Sequence, residues 1–177
     1  MQFRCVNNIY HYLKTSSTQE RAWELASSGA PSGTLVIARV QERGRGRYGR
    51  KWYSPAGGLW FSLLYFPVEA VDAGKVIHSA AMALKRSLKE VVGVRVKIKL
   101  PNDLYYQKKK VAGIILEKKA EKVVLGVGVN LNFRRDAIPG GFPAITIKEI
   151  TGHRVSRAAI LSSFLTNFCR KETSSEF

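Results

Sequence analysis

Residues 42–62 (ERGRGRYGRKWYSPAGGLWFS) constrain the fold of this chain more than any other stretch. A β-rich run, residues 34–41 (TLVIARVQ), leads into them, and a second, residues 59–66 (LWFSLLYF), leads out and is stopped by Pro67. A chain that leaves one strand and returns in another must turn, and this turn is long, glycine-rich and basic. Gly44, Gly46 and Gly49 alternate with Arg43, Arg45, Arg47 and Arg50, followed by Trp52, a Ser54-Pro55 turn, Gly57 and Gly58. Glycine permits positive φ and close approach of the backbone to a ligand. Arginine supplies planar, permanently charged donors for phosphate and carboxylate oxygens. Together they make an electropositive loop able to fold around an anion. No Gly-Lys-Ser/Thr ends the loop and no helix pattern follows it, which excludes a P-loop; the strand after it excludes the dinucleotide-binding glycine unit. A solvated basic loop or a nucleic-acid arm has the same composition, and composition alone does not separate these readings.

The 177 residues suffice for one domain with one substantial core. The sequence holds no low-complexity linker, no repeat and no apolar stretch long enough to span a bilayer. The N-terminal MQFRCVNNIYHYLK lacks the apolar run and cleavage site of a secretory signal, so a cytoplasmic protein is expected. Cys5 and Cys169 form neither a disulfide framework nor a metal-ligand spacing and read as structural thiols; with the three histidines scattered, no metal site is expected. The net charge of +16 implies attraction to polyanions: nucleic acid, nucleotides or an acidic protein surface.

Residues 8–14 (NIYHYLK) alternate loosely and read as a first strand, followed by a polar run from Thr15 to Thr18. Ser17 and Glu20 fit the capping box of a helix that continues through Ala22, Trp23, Leu25 and Ala26 and that Gly29 can close. Gln41 ends its strand with an amide that can face a ligand. From about residue 70 to 92, Ile77, Ala80, Ala81, Leu84, Leu88 and Val91 recur at helical spacing and leave Lys85, Arg86 and Lys89 on a solvated face. Residues 94–100 alternate strictly, so Lys97 and Lys99 share the face turned to solvent or ligand. A turn at Pro101, Asn102 and Asp103 precedes a hairpin of residues 104–106 and 111–117. Residues 123–131 form a buried strand whose Gly126 and Gly128 leave one face open to close approach. Arg134, Arg135, Pro139, Gly140 and Gly141 mark a loop, Thr146 and Glu149 a short capped helix, and Ser156 the cap of a last helix striped by Ile160, Leu161, Phe164, Leu165 and Phe168. The expected fold is a single α+β domain over residues 1–177, a mixed, mostly antiparallel sheet backed by helices on one face.

Three blocks carry a family resemblance. GRGRYGRKWYSPAGGLWFSL resembles the signature loop of biotin protein ligases, usually GRGRxGRxWxSPxGxNLxxS. Lys99-Leu100-Pro101-Asn102-Asp103-Leu104 with Lys110-Val111-Ala112-Gly113-Ile114 and Leu116-Glu117 is similar to the family's KWPNDLY and KxAGILxE. Gly126, Gly128 and Asn130 resemble its GxGxN strand. The blocks stand in the family's order, and the likeness covers roughly residues 8–165. It implies the class II synthetase-like fold of biotin–lipoate ligase catalytic domains. It also implies an ATP-dependent ligase that makes biotinyl-5′-adenylate, releases pyrophosphate, and transfers the acyl group to a lysine of a biotin carboxyl carrier domain. ATP and Mg2+ are the implied cofactors, and biotin and the carrier the partners. A homodimer is among the assemblies the resemblance allows, with no specific nucleic acid and no membrane.

Position by position, the resemblance assigns Ser17, Thr18, Gln19, Gln41, Gly44, Arg45, Gly46, Arg47, Trp52, Lys110, Gly113 and Asn130 to the biotin and adenylate site. Gln19 stands where the family more often has asparagine. Arg47 would hold the adenylate phosphate in a loop that orders on ligand. Lys110 would hold biotin and phosphate oxygens, and Asp103 would orient or deprotonate the incoming amine. Asn130 would lie at the nucleotide end, with Trp52 over the adenine. The chemistry suits the residues, because bringing a carboxylate to the α-phosphorus of ATP gathers negative charge that pre-placed cations and backbone donors stabilise. No G-x-S-x-G elbow or Cys/His pair is present, as a mechanism without an acyl-enzyme requires. Leu100 departs from the family's tryptophan, and the asparagine expected between Gly58 and Leu59 is missing. Against the family's pattern, the expectation is no helix-turn-helix module ahead of residue 1, hence no repressor role, and a C-terminal β-barrel absent or truncated at Phe177. A lipoate or octanoate ligase and a non-enzymatic, basic nucleic-acid binder with salt-dependent affinity are the rival readings.

Overall fold

The structure, a computed structural model, describes residues 6–67, 72–134, 136, 138 and 142–172. Seven strands form one sheet: β1 (Asn8–Thr15), β2 (Thr34–Gln41), β3 (Leu59–Tyr65), β4 (Lys97–Lys99), β5 (Asp103–Tyr106), β6 (Lys109–Lys119) and β7 (Lys122–Val129). Their spatial order is β1-β2-β3-β7-β6-β5-β4, parallel between β1 and β2 and antiparallel elsewhere. The helices are α1 (Thr18–Ser27), α2 (Ala73–Val92), α3 (Ile147–Thr151) and α4 (Arg157–Glu172). Among the described residues, no helix is long and apolar enough to cross a membrane.

Side-chain alternation divides the sheet into two faces. On one, Leu59, Phe61 and Leu63 of β3 and Leu125, Val127 and Val129 of β7 pack with Ala80, Leu84 and Leu88 of α2 and Ile160, Phe164 and Phe168 of α4. Phe164 lies edge-on to Phe61 at 5.2 Å and stacks on Phe168 at 5.6 Å. The two long helices thus back one face, as expected. The short α1 lies on the opposite face, where Ala22 and Ala26 meet Val36, Leu64 and Val124. Because α1 is only 10 residues long, it covers part of that face and leaves the rest of it to a pocket.

Helix ends follow the capping logic with one change. Thr146 and Glu149 form a reciprocal capping box on α3, and Ser156 Oγ accepts from Ala159 N at 3.2 Å. Ser17 caps α1 by accepting from Gln19 N at 3.2 Å, but Glu20 does not reach back to it; the Glu20 carboxylate takes the Ser16 hydroxyl instead. Helix α2 starts after Asp72, whose carboxylate accepts from Gly74 N and Lys75 N, and ends at Gly93 in the left-handed region. Its expected start at residue 70 lies outside the described residues.

The strand expected at residues 94–100 pairs only over Lys97–Lys99, because β4 is a short edge strand. Its alternation survives: Val94 and Val96 are buried while Arg95 and Lys97 are exposed. Of the loop residues expected after Asn132, Arg134 pairs with Asp136 at 2.8 Å, and Arg135, Pro139, Gly140 and Gly141 lie outside the described residues. The reading of both cysteines as reduced structural thiols does not hold: Cys169, buried in the core, is disulfide-bonded. Cys5 lies outside the described residues. Pairing depends on proximity in the fold, which the sequence spacing does not report.

Candidate active site

The uncovered part of the α1 face mixes glycines and polar side chains with a few large apolar ones. Register aligns Ser62 of β3, Gly126 of β7 and Ile115 of β6 in one row, and Trp60, Gly128, Gly113, Asp103 and Lys99 in the next. A Cβ on Gly126 would lie 2.6 Å from Gln19 Oε1, and one on Gly128 would lie 2.5 Å from Trp52 Nε1. The face left open by these glycines is therefore filled by two side chains brought in from other elements. Above it lies a cavity of about 570 Å3, within the usual size range for small-molecule sites of roughly 300–1,000 Å3.

A β-bulge sets the chemistry of the floor. Asp103 pairs with Gly113 and Leu104 with Ala112, but Tyr105 pairs with Lys110, so β6 carries one extra residue there. Strict alternation would point Lys110 away from the Gly113 side; the bulge turns it back. Lys110 Nζ then sits 2.7 Å from Asp103 Oδ1, an ion pair by distance whose angle falls short of a directed hydrogen bond. Both side chains are largely buried, 15% and 23% exposed. Lys110 Nζ also lies 5.0 Å from the centre of the Trp52 ring. Asn130 steadies this corner by donating from Nδ2 to the Lys110 carbonyl at 3.2 Å. Burial, with the Asp103 charge behind it, raises the Tyr105 hydroxyl above its ordinary pKa.

The wall beside α1 is a network of amides and hydroxyls. Gln41 Oε1 accepts from Thr18 N at 2.8 Å and from Thr18 Oγ1 at 3.1 Å, while Gln41 Nε2 donates to Ser54 Oγ at 2.7 Å. Gln19 Nε2 donates to the Val124 carbonyl at 3.1 Å. Ser62 Oγ lies 2.7 Å from Gln19 Oε1 and 2.8 Å from Thr18 Oγ1. Both ends of the Gln19 amide are thus engaged inside the protein.

The glycine–arginine loop forms the opposite rim. It doubles back through Trp52 N to Gly44 O at 2.8 Å and Gly46 N to Arg50 O at 2.7 Å, with a single 3-10 turn at Arg47–Gly49. Tyr48, not a glycine, takes a left-handed conformation in that turn, at φ 57°. The Arg47 guanidinium stacks 4.9 Å from the Tyr48 ring and donates to Asn102 Oδ1 at 3.0 Å across the mouth. Among the described residues, Arg45, Arg47, Arg50, Lys51, Lys99 and Lys110 line the cavity against the single carboxylate of Asp103, so the site is built for anions.

Ser17, Thr18, Gln19, Gln41, Arg45, Gly46, Arg47, Trp52, Asp103, Lys110, Gly113 and Asn130 all line this one cavity. Gly44 does not. It is buried beneath the loop, where a Cβ would meet the Trp52 carbonyl at 2.5 Å and Ser54 Oγ at 2.7 Å, so its role is to let the loop close on itself. The sequence reading missed Ser62 and Asn102. Ser62 carries no signal in an otherwise apolar strand except its polarity, whereas Asn102 stands inside a quoted block and is 9% exposed. Leu100 is 72% exposed on the rim, so the departure from tryptophan changes the edge of the cavity and not its floor. Among the described residues, no group of three or more His, Cys, Asp or Glu side chains is placed to hold a metal ion.

Comparison with known proteins gives one answer. Residues 12–133 match the biotin/lipoate A/B protein ligase family. The chain is 36% identical over 169 residues to the bifunctional ligase/repressor BirA of Bacillus subtilis, a match covering 90% of this chain and 52% of that protein. It is 37% identical over 168 residues to the biotin–[acetyl-CoA-carboxylase] ligase of Paracoccus denitrificans, covering 89% of this chain and 70% of the relative. A biotin protein ligase from Aquifex aeolicus, solved with biotin and ATP, superposes with a TM-score of 0.85 at 34% identity, over 94% of this chain and 71% of that one. The chain spans about half the length of the Bacillus proteins it matches. With the motif blocks, the sheet and the cavity all in agreement, the chain belongs to the biotin/lipoate A/B protein ligase family.

Proposed function

We propose that this chain is the catalytic core of an ATP-dependent biotin–protein ligase acting on a biotin carboxyl carrier domain. The observation that carries the reading is the Lys110–Asp103 pair, buried at the foot of a cavity whose far rim is the glycine–arginine loop. The relatives named as biotin ligases, and the Aquifex enzyme solved with biotin and ATP, supply the substrate class.

In the first step a biotin carboxylate oxygen forms a bond to the α-phosphorus of ATP while the bond to pyrophosphate breaks. Charge accumulates on the α-phosphate oxygens, and Lys110 and Arg47 neutralise it from opposite sides of the cavity. Cations already in place act without reorganisation at the moment of reaction. Lys110 moves from Asp103 to the incoming oxygens in doing so, which frees the carboxylate. In the second step a carrier lysine amine attacks the acyl carbon, AMP leaves with the bridging oxygen, and Asp103 accepts the proton the amine loses. Magnesium would enter as the ATP complex and be held mainly by the phosphates, since among the described residues Asp103 is the one carboxylate lining the cavity. The Thr18, Gln41 and Ser62 network holds the polar end of biotin, and the Trp52 face above Gly113 and Gly128 lies under the adenylate.

The test is pyrophosphate release by the purified chain with MgATP, with and without biotin, followed by mass spectrometry for a bound biotinyl-adenylate. Biotin-dependent release is expected. Release with lipoate or octanoate and none with biotin would move the chain to the other branch of the family.

A further inference from the structure

On the wall beside α1, one cavity-lining side chain crosses from helix to sheet. Gln19, in the first turn of α1 and 2% exposed, reaches over the row formed by Ser62, Gly126 and Ile115. Its Nε2 donates to the Val124 carbonyl at 3.1 Å, and its Oε1 accepts from Ser62 Oγ at 2.7 Å. Spanning from α1 to the backbone of β7 takes the full length of a glutamine. An asparagine, one methylene shorter, would stop about 1.5 Å back along that path and lose the Val124 bond. The amide lies so close to the sheet that a Cβ on Gly126 would meet Gln19 Oε1 at 2.6 Å and Ile115 Cγ1 at 2.9 Å. All of these contacts are made by helix and strand residues, and none involves the glycine–arginine loop.

Resting on the ligase reading above, we infer that Gln19 determines specificity by its bulk. Held at both ends inside the protein, its amide is a fixed plug over Gly126, and the ligand contacts on this wall fall to Thr18, Ser62 and Gln41. The plug sets how far the ring end of the acyl substrate can enter. The cavity therefore admits the compact fused rings of biotin and turns away a ring end that carries extra carbon. The asparagine more usual in the family would leave that space open. Discrimination of this kind is steric, and one methylene too many in a closed pocket is worth about 10- to 200-fold.

The experiment compares the full chain with Gln19→Asn, Gln19→Ala, Gly126→Ala and the double variant Gln19→Ala with Gly126→Ala. Pyrophosphate release with MgATP is measured with biotin and with biotin carrying a propyl group on a ureido nitrogen, which extends the ring end. Gln19→Asn is expected to shift the ratio of kcat/KM, analogue over biotin, by about tenfold toward the analogue, and Gln19→Ala by more. The shift lies in KM: that of the analogue falls while that of biotin rises. A ratio unchanged within about twofold in both variants overturns the inference. So does an equal loss with both substrates, since a residue that only supports the fold would lower the two together. The second readout needs no ligand. Gly126→Ala should lower the urea midpoint of the parent and lower that of the Gln19→Ala chain much less, the residual loss coming from the Ile115 contact. The same loss in both backgrounds would mean that Gln19 does not fill the space above Gly126, and overturns the inference as well. Midpoints coupled as expected, in a chain that makes an adenylate from octanoate and none from biotin, would keep the plug and remove the ligase reading.

Discussion

The two faces of the sheet are built from the same strands and obey different rules. On β3, Leu59, Phe61 and Leu63 point to α2 and α4, while Ser62 points to the cavity. On β7, Leu125, Val127 and Val129 pack inward, and Gly126 and Gly128 face the site. The first face is defined by exclusion of water and needs only apolar bulk of about the right volume. The second is defined by what must come close to it, and needs absence of bulk at some positions and a charge or amide at others. A residue on one face is therefore replaceable by volume, and a residue on the other only by chemistry.

Breaking the packed face has the largest effect. Phe164 is fully buried between Phe61 and Phe168, and Phe164→Ala should cost about 3–5 kcal/mol of stability. Urea unfolding followed by circular dichroism measures it. Any adenylation that survives should have unchanged substrate KM, because the residue reaches nothing in the cavity. A selective change in KM would show that the two faces are coupled.

Next is the charge at the floor. Lys108 lies exposed in the turn, Lys109 pairs with Tyr106 whose ring packs toward the other face, and Lys110 alone meets Asp103. Lys110→Ala should reduce the adenylation rate by about 10- to 100-fold, the equivalent of one or two charge-assisted hydrogen bonds of about 1.5–3 kcal/mol. Lys108→Ala and Lys109→Ala should change it by less than about threefold, or 0.5 kcal/mol. Single-turnover adenylate formation decides it; equal losses from all three would mean that net charge matters and register does not.

That contrast also shows where sequence stops being informative. The packed face was legible because burial imposes a period: the stripe of α2 and the alternation of β3 and β7 appear in the structure as read. The cavity was legible only through motif blocks, since nothing in residue order brings Ser17, Arg47, Asp103 and Lys110 together. Lys110 and Gly113 are three apart, and alternation puts them on opposite faces; a single extra residue in β6 reverses that. Ser62 needs the β3–β7 register before it can be placed under Gln19. Gly44 misled for a related reason: in a loop of alternating glycines, composition does not tell which one faces a ligand and which lies beneath the turn.

A single methyl group on the open face tests whether absence of bulk is itself the requirement. A Cβ on Gly128 falls 2.5 Å from Trp52 Nε1. Gly128→Ala should push the indole off the floor and destabilise by about 1–3 kcal/mol, the usual range for overpacking. Trp52 is half-buried with its Nε1 unpartnered, so the displacement should shift tryptophan emission to the red. Unshifted emission together with full adenylation would mean that the face has room that its glycines do not reveal.

The smallest effect concerns pH, and it separates the faces by titration. The loop is tethered on Glu20, whereas Phe164 and the two rings it packs on, Phe61 and Phe168, carry no ionisable group. The Ser16 hydroxyl holds the Glu20 carboxyl below its ordinary pKa; partial burial opposes this, and Arg45, Arg43 and Arg21 reinforce it. A carboxyl with a depressed pKa in the folded state binds fewer protons there than in the unfolded chain. Its contribution is therefore present above the unfolded value of about 4.3 and disappears as pH falls through the lower, folded value. Glu20 is substantially exposed, so solvent screening keeps the contribution under about 1 kcal/mol. The stability difference between the parent and Glu20→Gln should be constant from about pH 5 to 8 and shrink below about pH 4. Urea midpoints at a series of pH values measure it, with Phe164→Ala as the control whose deficit should not follow the same curve. A difference that grows as the pH falls would mean that Glu20 is held protonated in the fold, and a protonated carboxyl cannot anchor Arg45 by charge.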